Sequence, residues 1–183
     1  MSKSIFGRYT DHAKRAIFFA RHEAQRFGAK NIDTEYLLLG LLYDSESRAN
    51  VLFGLKEHGN SFRLKIEQEH PPSSPLPKGT DLPLSNASKR VLAYTAMEAD
   101  ELSSDPINTD HLVLGLLREE QCFAATLLAE VGLDLATARQ LVAPVAGETP
   151  VSEKKTISPF IGIPLIAILL LAIYLVTKLA LGK

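Results

Sequence analysis

Apolar side chains recur along most of this chain at intervals of three and four residues, the spacing that sets them on one face of a helix, and nowhere do they alternate convincingly with period two. From Thr10 the positions Ala13, Ile17, Ala20, Ala24 and Phe27 keep that spacing, and from Ser85 the positions Val91, Leu92, Thr95 and Ala99 keep it again. The hydroxyl of Thr10 or Ser85 can accept from a free N–H of a first helical turn, so each is expected to start a long helix. Two short segments, Glu35 to Leu42 and Asp110 to Leu117, are apolar on nearly every side and are expected to lie at the core, capped by Thr34 and Thr109. Each holds a glycine, Gly40 or Gly115, which costs a helix roughly 1 kcal/mol and is expected where another backbone comes close. Third and fourth helices are predicted at about 48–57 with 61–69, and at 122–131 with 134–142.

These elements are two copies of one pattern. At a constant offset of 75, Lys14, Arg15, Glu23, Ala24, Ile32, Thr34, Leu37, Leu39, Gly40, Leu41 and Leu42 recur as Lys89, Arg90, Glu98, Ala99, Ile107, Thr109, Leu112, Leu114, Gly115, Leu116 and Leu117. Past that point the repeats align only if the first carries about two extra residues before Gly59, taken as the partner of Gly132. A lone repeat of this size would be marginal, whereas two packed together bury one sufficient core. The expected fold class is therefore all-α, two pseudo-twofold four-helix repeats forming an eight-helix bundle: repeat one at 6–69, repeat two at 84–143. Between them His70 to Pro83 has five prolines in fourteen residues, which excludes helix and predicts a semi-rigid linker.

The pattern changes at the end of the chain. Pro159 to Val176 runs 18 residues without a charged side chain, about 27 Å as helix against a hydrocarbon core of roughly 30 Å. A transmembrane helix is predicted at 157–181, joined to the bundle by a flexible linker at 144–156. Lys178 sits where it can snorkel. With two residues after Leu181 and no apolar secretory signal at the start, the expectation is a tail-anchored, single-pass membrane protein with a cytosolic N-terminal domain.

Composition removes several function classes. Two of the 20 basic residues, Lys178 and Lys183, fall in the last 28 positions, leaving 18 basic against 21 acidic side chains over residues 1–155. Nucleic acid is thereby an unexpected partner, since its phosphates call for a clustered positive field. The single cysteine, Cys122, is expected to be a core-filling thiol. His12, His22, His58, His70 and His111 form no zinc-binding spacing, no serine lies in a nucleophile elbow, and the one Gly-Lys pair, Gly182-Lys183, cannot belong to a phosphate-cradling P-loop. No catalytic residue, metal or cofactor is expected, and an enzyme is the disfavoured class. His12 and His22 read as exposed helix residues, His111 as a hydrogen-bonded structural histidine, and Lys14, Arg15, Lys89 and Arg90 as a solvated helix face.

The segments Phe6-Gly7-Arg8-Tyr9-Thr10, Asn31-Ile32-Asp33-Thr34-Glu35-Tyr36-Leu37-Leu38-Leu39-Gly40-Leu41-Leu42 and Ile107-Asn108-Thr109-Asp110-His111-Leu112-Val113-Leu114-Gly115-Leu116-Leu117 carry a specific resemblance. Over about residues 6–143 the chain resembles the double-repeat N-terminal domain of the Clp unfoldases, particularly the C type. The resemblance implies an eight-helix bundle that receives protein or peptide clients and adaptors and, in the C type, binds phosphorylated arginine. It implies ligand-binding roles for Thr10, Glu35, Ser85 and Asp110: the carboxylate for the guanidinium, hydroxyl and backbone N–H groups for the phosphate. Each acid is expected near the other cap of its own repeat, Glu35 by Thr10 and Asp110 by Ser85. The bland alternative is an exposed first-turn acid that offsets the helix dipole by at most about 1 kcal/mol. The resulting expectation is a membrane-tethered, non-catalytic recognition module; the alternative is a regulatory subunit docking on a Clp protease or unfoldase complex.

Overall fold

The computed structural model describes residues 5–143, all helix, turn and loop. The linker predicted at 144–156 and the membrane helix predicted at 157–181 lie outside them, and among the described residues no helix is long and apolar enough to cross a membrane.

Eight α-helices follow one another: α1 (Asp11–Phe27), α2 (Thr34–Leu41), α3 (Arg48–Phe53), α4 (Gly59–Glu69), α5 (Asn86–Glu101), α6 (Thr109–Arg118), α7 (Phe123–Glu130) and α8 (Leu135–Val142). Thr10 caps α1 through its hydroxyl, which accepts from the Ala13 N–H at 3.2 Å, and Ser85 caps α5 by accepting from the Ser88 N–H at 3.0 Å. α1 ends at Gly28, whose left-handed backbone (φ 70°) lets its N–H reach back to Gln25 O. Ser103 takes up positive φ at the matching place after α5.

The two long helices present small side chains where the short buried helices cross them. A Cβ on Gly40 would lie 2.1 Å from Ala16 O and 2.8 Å from Ala20 N; one on Gly115 would lie 2.3 Å from Thr95 Oγ1 and 2.6 Å from Val91 O. The close backbone approach expected at both glycines is what the fold contains. Every side chain of α2 is buried, and the core joins Leu38, Leu39 and Leu41 to Leu114, Leu116, Leu127 and Leu128 without a break between repeats.

Two buried acids at equivalent positions tie the outer helices down. Glu23 on α1 takes both Arg63 Nη groups of α4 at 3.0 Å and the Tyr43 hydroxyl at 2.6 Å. Glu98 on α5 takes Arg139 of α8 at 2.6 and 2.7 Å and Arg118 of α6 at 2.8 Å. Burial alone would raise both carboxyl pKa values, but the guanidinium bonds outweigh it and hold both below the ordinary range.

Two expectations need correction. The third helix of repeat one stops at Phe53, and a 3-10 turn at Leu55–His58 separates it from α4. The partner of Gly132 (φ 84°) is therefore Gly54 (φ 61°), each left-handed after a third helix, whereas Gly59 has φ −55° and opens α4. Two short parallel bridges, Tyr9 with Ile107 and Ile32 with Leu84, join the repeats crosswise. The proline-rich segment has no helix, as predicted, and lies along α1: Ser73 N–H donates to Phe27 O, Leu76 N–H to Gln25 O, and Arg21 to Thr80 O.

Candidate functional site

The N-termini of α2 and α6 are where polar groups meet the buried core. Their caps are Asp33 and Asn108, each accepting from the next residue's N–H at 2.8 Å, with Thr34 and Thr109 as the first helical residues. Asp and Asn are preferred over Thr as helix N-caps, so the threonines are displaced inward by one.

The crosswise bridges decide which groups come together. Thr10 N–H donates to Ile107 O at 2.8 Å, and the Thr10 hydroxyl contacts Asn108 Oδ1 at 3.3 Å. Ser85 N–H donates to Ile32 O at 3.0 Å, and the Ser85 hydroxyl donates to Asp33 Oδ1 at 2.9 Å. Thr10 thus belongs with the N-terminus of Asp110's helix, and Ser85 with that of Glu35's. The expected pairing within each repeat is reversed, because the segment leading into each long helix hydrogen-bonds to the loop before the other repeat's short helix.

The acids are also more enclosed than first-turn acids usually are: Glu35 is 5% exposed and Asp110 0%. Asp110 Oδ2 accepts from Arg48 Nε at 2.7 Å, and its Oδ1 accepts from the His111 N–H at 3.1 Å. Arg48 opens α3, held beside α6 by a 3.1 Å bond from the Ala49 N–H to Thr109 Oγ1. Among the described residues no arginine reaches Glu35. Thr34 Oγ1 donates to its Oε2 at 3.4 Å, and His70 Nε2 stands 3.8 Å from its Oε1, the imidazole lying edge-on to the Phe123 ring. Burial, with the neighbouring Asp33 charge adding, pushes the Glu35 pKa above the ordinary carboxyl range.

The remaining polar residues hold structural places. His111 is buried, its Nδ1 accepting from the Asn108 N–H at 2.9 Å while Nε2 has no partner among the described residues, and burial lowers its pKa. Cys122 is buried as expected and also caps α7, Sγ accepting from the Ala125 N–H. Lys14, Arg15, Lys89 and Arg90 are exposed, with Arg15 on Asp44 and Arg90 on Glu119. His22 is exposed, whereas His12 is only half-exposed and bonds Asp44. Among the described residues no group of three His, Cys, Asp or Glu side chains is arranged to hold a metal ion.

Asp33, Asn108, Arg48 and His70 were not singled out by sequence reasoning. An Asx residue just before each threonine was a usable sign for the first two. Arg48 and His70 reach their acids over 62 and 35 positions, which no local pattern reveals.

Comparison with known proteins finds relatives of both sequence and fold. The model of the Clp repeat (R) N-terminal domain matches residues 8–131 and 83–179. An ATP-dependent Clp protease ATP-binding subunit, a ClpA homolog of Guillardia theta, is 34% identical over 146 residues, 79% of this chain and 18% of that protein. The chloroplastic chaperone protein ClpC2 of Oryza sativa subsp. japonica is 33% identical over 150 residues, 81% of this chain and 16% of the relative. The chain thus spans less than a fifth of the length of these relatives. Among solved structures, the N-terminal domain of the caseinolytic protease associated chaperone ClpD from Arabidopsis thaliana is 25% identical, with a TM-score of 0.58 over 74% of this chain and 95% of that one. The chain belongs to the Clp repeat N-terminal domain family.

Proposed function

We propose that residues 5–143 form a non-catalytic recognition module for protein or peptide clients, that it reads phosphorylated arginine at the N-terminus of α2, and that the apolar run at 157–181 tethers it to a membrane. One observation carries the ligand reading: Glu35 is a buried carboxylate that no arginine among the described residues reaches. Holding such a group out of water is costly unless something cationic completes it, and a guanidinium fits a carboxylate with two parallel bonds. The Ser85 hydroxyl at the same end and the positive end of the helix dipole suit the attached phosphate. The membrane reading rests on the length and apolarity of the run. Adaptors and Clp protease or unfoldase complexes are the protein partners that family membership makes worth testing.

The test is calorimetric titration of the full chain with a phosphoarginine peptide. Glu35→Ala should weaken binding by about 1.5–3 kcal/mol, the range for hydrogen bonds to charged groups, and Asp110→Ala by less. Absence of binding by the wild type, or equal losses in the two variants, would overturn the reading.

A further inference from the structure

The two ends of the pseudo-twofold differ in two matched positions. At the Asp110 end the cap is the neutral Asn108, and Arg48 delivers a guanidinium to the carboxylate. At the Glu35 end the cap is Asp33, a second acid, and the place matching Arg48 is Phe123, one offset of 75 along the chain. One end is a single carboxylate matched by a single cation. The other holds two carboxylates and, among the described residues near it, only the His70 imidazole at 3.8 Å, beyond hydrogen-bond reach.

We propose that Arg48 is an internal ligand: its guanidinium fills the Asp110 end from within the chain, so the domain takes a guanidinium-bearing ligand at the Glu35 end alone. The contact has the form of a captured ligand. Asp110 is 0% exposed while the Arg48 side chain is 45% exposed, so the arginine reaches in from the surface, across the boundary between repeats, and only its head meets the acid. Nothing about α3 demands a cation there, because the same position in α7 is filled by an aromatic side chain. A guanidinium from outside would have to displace one already tethered at high effective concentration. This deepens the recognition reading given above and rests on it for the Glu35 end; the occupancy of Asp110 stands separately.

Two measurements on the full chain test it. In titration with a phosphoarginine peptide, and with the same peptide unphosphorylated to separate phosphate from guanidinium recognition, the wild type should bind one equivalent per chain, Glu35→Ala should bind at least about tenfold more weakly, and Arg48→Ala should bind two equivalents. In thermal melts, Arg48→Ala should be destabilised and should regain part of the loss in millimolar methylguanidinium, relative to equal potassium salt, while the wild type should show no such gain. A site of undiminished affinity in Glu35→Ala, or a single site and no methylguanidinium response in Arg48→Ala, overturns the proposal. Failure of Arg48→Ala to fold even with methylguanidinium supplied counts against it too. Absence of peptide binding by the wild type overturns the recognition reading, while methylguanidinium rescue still decides whether Arg48 stands in for a ligand.

Discussion

Replacing Gly40 with alanine inserts one methyl group where the structure has no room for it. The new Cβ would meet Ala16 O at 2.1 Å and Ala20 N at 2.8 Å, whereas unstrained carbon contacts begin near 3.5 Å. Both obstacles are backbone atoms inside α1, so no rotamer change relieves them, and α2 must retreat by roughly 1 Å. A gap of that size forfeits about a quarter to a half of the dispersion well along the contact. Overpacking of this kind costs about 1–3 kcal/mol, and here the rigid obstacles place it at the upper end. Better helix propensity returns up to about 1 kcal/mol, leaving a net loss of roughly 2 kcal/mol. For a domain of this size that lowers Tm by about 8 °C. Thermal melts followed by circular dichroism give the answer, with Gly7→Ala, whose Cβ would meet nothing within 4 Å, as the control expected to be silent. A Gly40→Ala variant that melts with the wild type or above it would show that the helices separate freely, and would refute the reading of Gly40 as the point that sets their spacing.

Glu98→Gln should cost roughly 2 kcal/mol in urea denaturation with an unchanged m value; this is below the cost of a fully buried orphan charge because Arg118 and Arg139 stay 24% and 39% exposed. For Glu35, a raised folded pKa means its favourable contribution is present below the ordinary value of 4.5 and lost as pH rises through the folded value, so Glu35→Gln should match the wild-type Tm at pH 4 and exceed it at pH 7; a flat or opposite difference would contradict the burial argument. Glu23 and Glu98 act in the opposite sense, their stabilisation being present above 4.5 and lost as pH falls below it, so the wild type should lose stability on acidification; a Tm that holds or rises on acidification below pH 4.5 would contradict this. The full chain should sediment with membranes and be released by detergent but not by alkaline carbonate, while a chain ending at residue 156 should remain in the supernatant; co-sedimentation of both would remove the tether.

The helices were legible because each repeat writes its pattern twice: Leu37, Leu39, Leu41 and their partners at offset 75 mark a buried helix from periodicity alone. Gly40 and Gly115 were legible for a different reason, since glycine inside an apolar helix has few uses other than close approach. The caps were misplaced by one residue because Thr34 and Thr109 are themselves good caps, and nothing in the local pattern ranks them against the Asx before them. The glycine alignment failed where the repeats differ in length; the shared dipeptides Gly54-Leu55 and Gly132-Leu133 mark the true match. Pairing of the site groups was out of reach, because the bonds that exchange Thr10 and Ser85 between repeats span 98 and 52 positions. The role of Glu23 and Glu98 also needed coordinates: their identity was visible, their arginines were not.

The crosswise bonds before α1 and α5 mean that neither half completes its own helix starts. A repeat by itself would leave Ile32 N–H and Thr10 N–H without their acceptors, so two unjoined copies would have to meet as a symmetric pair before either could close its helix starts. In such a pair every substitution is made at both sites at once. Joined end to end in one chain, the halves still complete each other, yet each can mutate without the other. Position 48 and position 123 are that freedom in use: an arginine in one copy, a phenylalanine in the other, and two ends of one duplicated frame set to different tasks.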